Sequence, residues 1–171
     1  MNMNRGMYSA VYVLQPTLNR LNRFIKEMGL PRTQEDLFYQ LHATLFTSKT
    51  AAPAMRPDYE LVHEAKFESY NVYRSDGKNR LVMMLNAPSL HDRNQFIAKT
   101  HGISHVFPDY EPHITIAYDV GFIDWWKLPP FEPTIWLGDE NVRAAQDRKP
   151  IRKITRWNQI KSNLSAIDTK Q

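Results

Sequence analysis

Along this chain, short runs that alternate apolar and polar side chains are interrupted by two stretches whose apolar residues recur at helical spacing. Residues 9–15, SAVYVLQ, form a short apolar run that stops at Pro16, and they read as a strand. Beyond them Leu18, Leu21, Phe24, Ile25 and Met28 recur three and four apart, with Pro16 before and Gly29 after, which predicts a helix. After a polar connection LHATLFTS (41–48) reads as a strand, and AAPAMRPDYE (51–60) as an irregular Pro-rich loop. Residues 65–86 form two strand-like runs around Ser75-Asp76-Gly77-Lys78, a hairpin with Asp-Gly at its turn. PSLHDRNQFIAKTHG (88–102) predicts a second helix, with Ser89 as its N-cap and Gly102 at its stop. HITIAYDV (113–120) follows as a strand. GFIDWWKLPP reads as a short helix or turn, with Trp125-Trp126 as a packing anchor. EPTIWLGDENVRAAQ (132–146) predicts two short strands around Gly138-Asp139. The order is strand–helix–strand, hairpin–helix–strand, then a final pair of strands. That is an α+β chain with a similar unit in each half.

Composition narrows the picture without changing it. The chain has 171 residues, 42% of them hydrophobic and 23% charged, which suits one globular domain with a core. There are no cysteines, so disulfides, thiolate chemistry and Cys-bound zinc are out of reach. Neither a signal sequence nor a membrane-length apolar run is visible, and a cytoplasmic protein is expected. The net charge of +4 is unevenly placed. Seven Lys/Arg and two Asp fall in residues 147–171, and the remainder is slightly acidic. This divides the chain into a domain, 1–146, and a basic C-terminal tail, 147–171. The tail is either a solvated segment or a contact for a polyanion; the domain offers no duplex-binding surface.

The chemistry is concentrated in two of the strands. Side chains two apart on a strand share a face. His42, Thr44 and Phe46 therefore point one way from LHATLFTS, and His113, Thr115 and Ala117 one way from HITIAYDV. Either motif alone would read as a strand histidine bonded to a neighbouring threonine. Two of them, each in an apolar strand after a helix, point to one cleft with two imidazoles and two hydroxyls. Such a set suits phosphodiester transesterification or hydrolysis. One imidazole accepts a proton from the attacking oxygen, the other donates one to the leaving oxygen, and the hydroxyls hold the phosphate. No metal or other cofactor is required by that scheme.

LHATLFTS and PHITIAYD resemble the paired His-x-Thr/Ser motifs of the 2H phosphoesterase superfamily, and the order of elements from residue 8 to about 146 is similar to it. The resemblance implies a bilobal fold, with antiparallel sheets around a central cleft and lobes related by a pseudo-two-fold. It places His42, Thr44, His113 and Thr115 on the catalytic positions and implies metal-independent chemistry. Within the superfamily the compact length, the early first strand and the hairpin YNVYRSDGKNRLVMMLN look most like the phage anti-CBASS cyclic-oligonucleotide nucleases. That implies cyclic di- and trinucleotide substrates in a host bacterial cytoplasm, opened by 2′-OH attack to leave a 2′,3′-cyclic phosphate end. It further implies nucleobase contacts from Tyr12, Tyr73 and the acidic Glu140. A tryptophan expected beyond Glu140 is replaced by Asp147-Arg148-Lys149. The alternatives are RNA-end processing of a cyclic phosphate or 2′–5′ linkage, and a non-catalytic nucleotide sponge. His63 and His91 read as surface residues. The spacing of His101 and His105 would suit a metal on a helix, but Gly102 breaks that helix.

Overall fold

The computed structural model describes residues 5–30 and 40–145, and the backbone of 151–154. In chain order the elements are β1 (Met7–Val13), α1 (Thr17–Glu27), β2 (His42–Ser48), β3 (His63–Ser75), β4 (Lys78–Asn86), α2 (Pro88–His101), β5 (His113–Ala117), a 3₁₀ turn (Trp125–Lys127), β6 (Ile135–Ala144) and β7 (Ile151–Ile154). The architecture is α+β, as the pattern predicts. Among the described residues no helix is long and apolar enough to cross a membrane.

The strands form one sheet in the order β4-β5-β2-β1-β6-β3-β7, and β3 also pairs with β4. Every pairing is antiparallel. Following the pairs β1–β2–β5–β4–β3–β6–β1 returns to the start, so six strands close into a ring, with β7 outside it along β3. Pairing is extensive from β6 through β1 to β2, and from β3 through β4 to β5. The two groups meet at short seams, Ala43 opposite Ile114 in one and His63–Ala65 opposite Ile135–Leu137 in the other.

Leu21 and Ile25 of α1 and Leu90 and Ile97 of α2 pack with Val11, Val13, Ala43 and Ile114 in the main hydrophobic cluster. A six-stranded ring has no room for a helix inside. The helices therefore cover its outer face, and the opposite face of β1, β2 and β5 looks inward. The 3₁₀ turn seats Trp125 in the same cluster, its ring edge-on to Trp126.

Local sequence explains the joints. Asp76 and Gly77 both take positive φ, 55° and 71°, the pair a two-residue type I′ turn demands, and Ser75 pairs with Lys78. Three expectations need correction. Gly138-Asp139 does not end a strand: β6 runs through it. Tyr12 pairs with Gly138 and Ala10 with Asn141, so Val11 faces two residues, and Asp139 (φ 49°) absorbs the bulge. Phe46 does not share a face with Thr44. β1 pairs Ser9 with Phe46 but Ala10 with Thr44, and the residue inserted at Leu45 turns Phe46 onto the helix-covered face. Ser89 is not the cap of α2. Ala87 precedes the helix, Pro88 opens it, and the Ser89 hydroxyl bonds the His63 ring instead. The polar connection at 31–39 and Asp147-Arg148-Lys149 lie outside the described residues.

Candidate active site

The single registered pair between β2 and β5 decides the geometry. With Ala43 opposite Ile114, the antiparallel register sets His42 across from Thr115 and Thr44 across from His113. Ala43 and Ile114 are buried toward the helices. The four polar residues occupy the inner face as a square with the imidazoles on one diagonal and the hydroxyls on the other. All four are half-buried. Beside them Ala10, Val82 and Met84 are buried on the same inner face, and they form an apolar floor.

The two histidines are held alike. His42 Nδ1 lies 3.1 Å from the Gln40 carbonyl, and His113 Nδ1 lies 2.8 Å from the Glu111 carbonyl, in each case two residues back. A carbonyl oxygen only accepts, so Nδ1 carries a proton in both rings. In a neutral ring that leaves the lone pair on Nε2. Each ring also has a tyrosine beside it. Tyr12 stands 6.0 Å from His42, centroid to centroid, and Tyr73 packs edge-on to His113 at 4.9 Å. Tyr12 accepts a hydrogen bond from Asn141 Nδ2 at 2.7 Å. Tyr73 donates to Glu111 Oε2 at 3.3 Å, and burial, with the Glu111 carboxylate beside it, pushes its hydroxyl pKa up.

The structure thus brings His42, Thr44, His113, Thr115, Tyr12 and Tyr73 to one surface. Glu140 stands apart. Its side chain is 0% exposed, and both oxygens are engaged by Arg93 of α2, at 2.8 and 3.0 Å. The bulge in β6 turns it from the cleft toward the helix layer. His63 is also inside, 3% exposed, contrary to its reading as a surface residue. Its Nδ1 meets Ser89 Oγ at 3.0 Å, and burial lowers its pKa against the pull of Glu140. His105 is an acceptor: its Nδ1 receives the Thr47 N–H at 3.0 Å. Among the described residues no cluster of three or more His, Asp or Glu has metal-holding geometry.

Sequence reasoning missed the residues that brace Thr44. The Tyr8 hydroxyl lies 3.1 Å from Thr44 Oγ1, the Tyr110 hydroxyl donates to the Thr44 carbonyl at 2.9 Å, and the Arg143 guanidinium sits 4.6 Å over the Tyr8 ring. Tyr8, Ala10 and Tyr12 share one face of β1, so extending the first strand by one residue would have found Tyr8.

Comparison with known proteins places the chain in a family. The family model described as Anti-CBASS protein Acb1 matches residues 5–149. An Anti-CBASS protein Acb1 from Acinetobacter phage Ac42 is 30% identical over 125 residues, covering 72% of this chain and 79% of the relative. That of Enterobacteria phage T4 is 25% identical over 148 residues, 86% of this chain and 88% of its own length. That of Salmonella phage S16 is 26% identical over 122 residues, 70% and 76% of the two chains. With a family model spanning most of its length, this chain belongs to the anti-CBASS protein Acb1 family.

Proposed function

We propose that this protein is a 2H-type phosphodiesterase that cleaves 3′–5′ bonds of cyclic di- and trinucleotides and so disarms CBASS defence in a phage-infected cell. The observation that carries this reading is the register of β2 against β5, with both His-x-Thr pairs on one inner face and both Nδ1 atoms on a carbonyl two residues back. That carbonyl contact is compatible with a neutral ring and with an imidazolium. Either histidine is therefore equipped to be base or acid.

In the reaction, Nε2 of one neutral histidine takes the proton from a ribose 2′-OH as O2′ attacks the adjacent phosphorus. The O2′–P bond forms, the P–O5′ bond breaks, and O5′ receives the proton from Nε2–H of the other, protonated histidine. The ring opens to a linear product ending in a 2′,3′-cyclic phosphate. Thr44 and Thr115, on the opposite diagonal, donate to the non-bridging oxygens, where charge develops in the transition state. Tyr12 and Tyr73 offer aromatic faces to the bases on either side. The two strand groups, with their matching strand–helix–strand units, support a reading as two lobes related by a pseudo-two-fold through the β2–β5 seam.

The test is incubation with a cyclic dinucleotide in EDTA, followed by chromatography, alongside its all-deoxy analogue. Linear product from the ribo form alone is expected, because the deoxy form lacks the nucleophile. Efficient cleavage of the deoxy form would remove the mechanism. Loss of free ligand with no product would mark a sponge, and opening of a terminal cyclic phosphate while cyclic dinucleotides survive would mark RNA-end processing.

A further inference from the structure

Beyond each threonine of the square, the two halves repeat one irregularity. β1 pairs Ala10 with Thr44 but Ser9 with Phe46, and β4 pairs Val82 with Thr115 but Leu81 with Ala117. Leu45 and Ile116 are therefore single inserted residues at equivalent places, and both are buried toward the helices. Farther out, each side carries an arginine over a tyrosine. Arg143 stands opposite Tyr8 in the β6–β1 register and places its guanidinium 4.6 Å over the Tyr8 ring. Arg80 stands opposite Tyr73 in the β3–β4 register and places its guanidinium 5.4 Å over the Tyr118 ring. Directly opposed residues share a face, so both arginines belong to the face that bears Tyr8 and Tyr73. Because β2 and β5 are antiparallel, one stack lies beyond Thr44 and the other beyond Thr115, at opposite ends of the square. The first touches it, since the Tyr8 hydroxyl lies 3.1 Å from Thr44 Oγ1. Among the described residues neither guanidinium has a carboxylate partner.

A cyclic dinucleotide carries two phosphodiesters, and the square serves one. The other brings a negative charge against a face floored by Ala10, Val82 and Met84, where it needs a cation. A guanidinium resting on an aromatic ring is held in place and weakly hydrated, while its in-plane N–H donors still match two phosphate oxygens. We infer that Arg80 and Arg143 form a clamp for the unreacted phosphate, and so select rings with a second phosphodiester over single-linkage substrates. The clamp rests on the reading of the cleft as a cyclic nucleotide site. The arginines touch no reacting atom in this scheme; they hold the remainder of the ring.

The experiment is calorimetric titration of the full chain with two ligands that lack the 2′-OH and survive the measurement. One is the all-deoxy analogue of cyclic di-AMP; the other is a linear deoxyadenosine dinucleotide with one phosphodiester and no terminal phosphate. Arg80→Gln/Arg143→Gln should weaken the cyclic analogue at least ~10-fold and the linear one less than ~2-fold. Each single variant should lose at least ~3-fold on the cyclic analogue. Arg80→Lys/Arg143→Lys, which keeps both charges, should recover most of the affinity and guards against a folding defect in the Gln pair. Unchanged cyclic affinity in the Gln pair, equal losses on the two ligands, or no binding of the cyclic analogue to the wild type would overturn the clamp. A failure of the proposed catalysis would look different: the wild type would leave the ribo form uncut while arginine-dependent binding persisted.

Discussion

The inner-face square of His42, Thr44, His113 and Thr115 is a residue-scale device, and its parts are expected to fail in different ways. Replacing either histidine by alanine should lower turnover of a cyclic dinucleotide at least ~100-fold, the scale for loss of a general acid or base. Near-normal rates in either variant, with folding intact by circular dichroism, would refute the assignment. Tyr8 acts through Thr44. If Tyr8 donates to Thr44 Oγ1, the threonine proton is directed outward, and Tyr8→Phe should cut kcat about 3- to 10-fold with little change in KM. A rise in KM at constant kcat would instead mean that Tyr8 binds substrate. Strand alternation made the four polar residues legible because it places residues two apart on one face. It left their partners hidden: Tyr8 lies one residue before the strand as read, and Tyr110 sits in a loop. His63 was misread for a related reason. A histidine among loop residues resembles a surface one until β6 and α2 close over it.

At the scale of elements, β-bulges decide which side chains reach the cleft. Two such irregularities, at Leu45 of β2 and at Asp139-Glu140 of β6, turn Phe46 and Glu140 outward to the helix layer. There Glu140 and Arg93 tie β6 to α2 in a bidentate pair that burial makes costly to break. Glu140→Ala strands the guanidinium and should destabilise the fold by about 3–5 kcal/mol in urea unfolding. A loss under about 1 kcal/mol, together with weakened nucleotide binding, would return Glu140 to the cleft. The hairpin was legible because Asp-Gly meets a demand for two positive φ angles. Gly138-Asp139 carries the same chemical signal, and it was read as a turn. Which use applies depends on whether β1 lies alongside to continue the pairing, and that is a long-range contact.

At the scale of the molecule, the described residues form a ring of six strands, with β7 along its outside, jacketed by α1 and α2, with the polar chemistry turned inward. His63 reports on the closure of its second seam. Burial holds its folded pKa below the ordinary value of about 6.5, with Glu140 and Asp58 opposing and Arg93 reinforcing the effect. An unfolded His63 thus binds a proton more readily than the folded one. Its contribution to stability is complete above about pH 6.5 and is lost as the pH falls through the lowered folded value. Thermal unfolding should show a loss of midpoint below about pH 6.5 that is shallower in His63→Gln; identical profiles would refute this. The sequence by itself determined the α+β class, the order of most elements and the polar identity of the candidate site. Those rest on periodicity, turn residues and side-chain chemistry, all of which act within a few residues. Only the tertiary structure decided that β2 pairs with β5 and that Glu140 and His63 are interior. Each depends on segments far apart in the chain being held in register by a common core, and local pattern carries no record of that register.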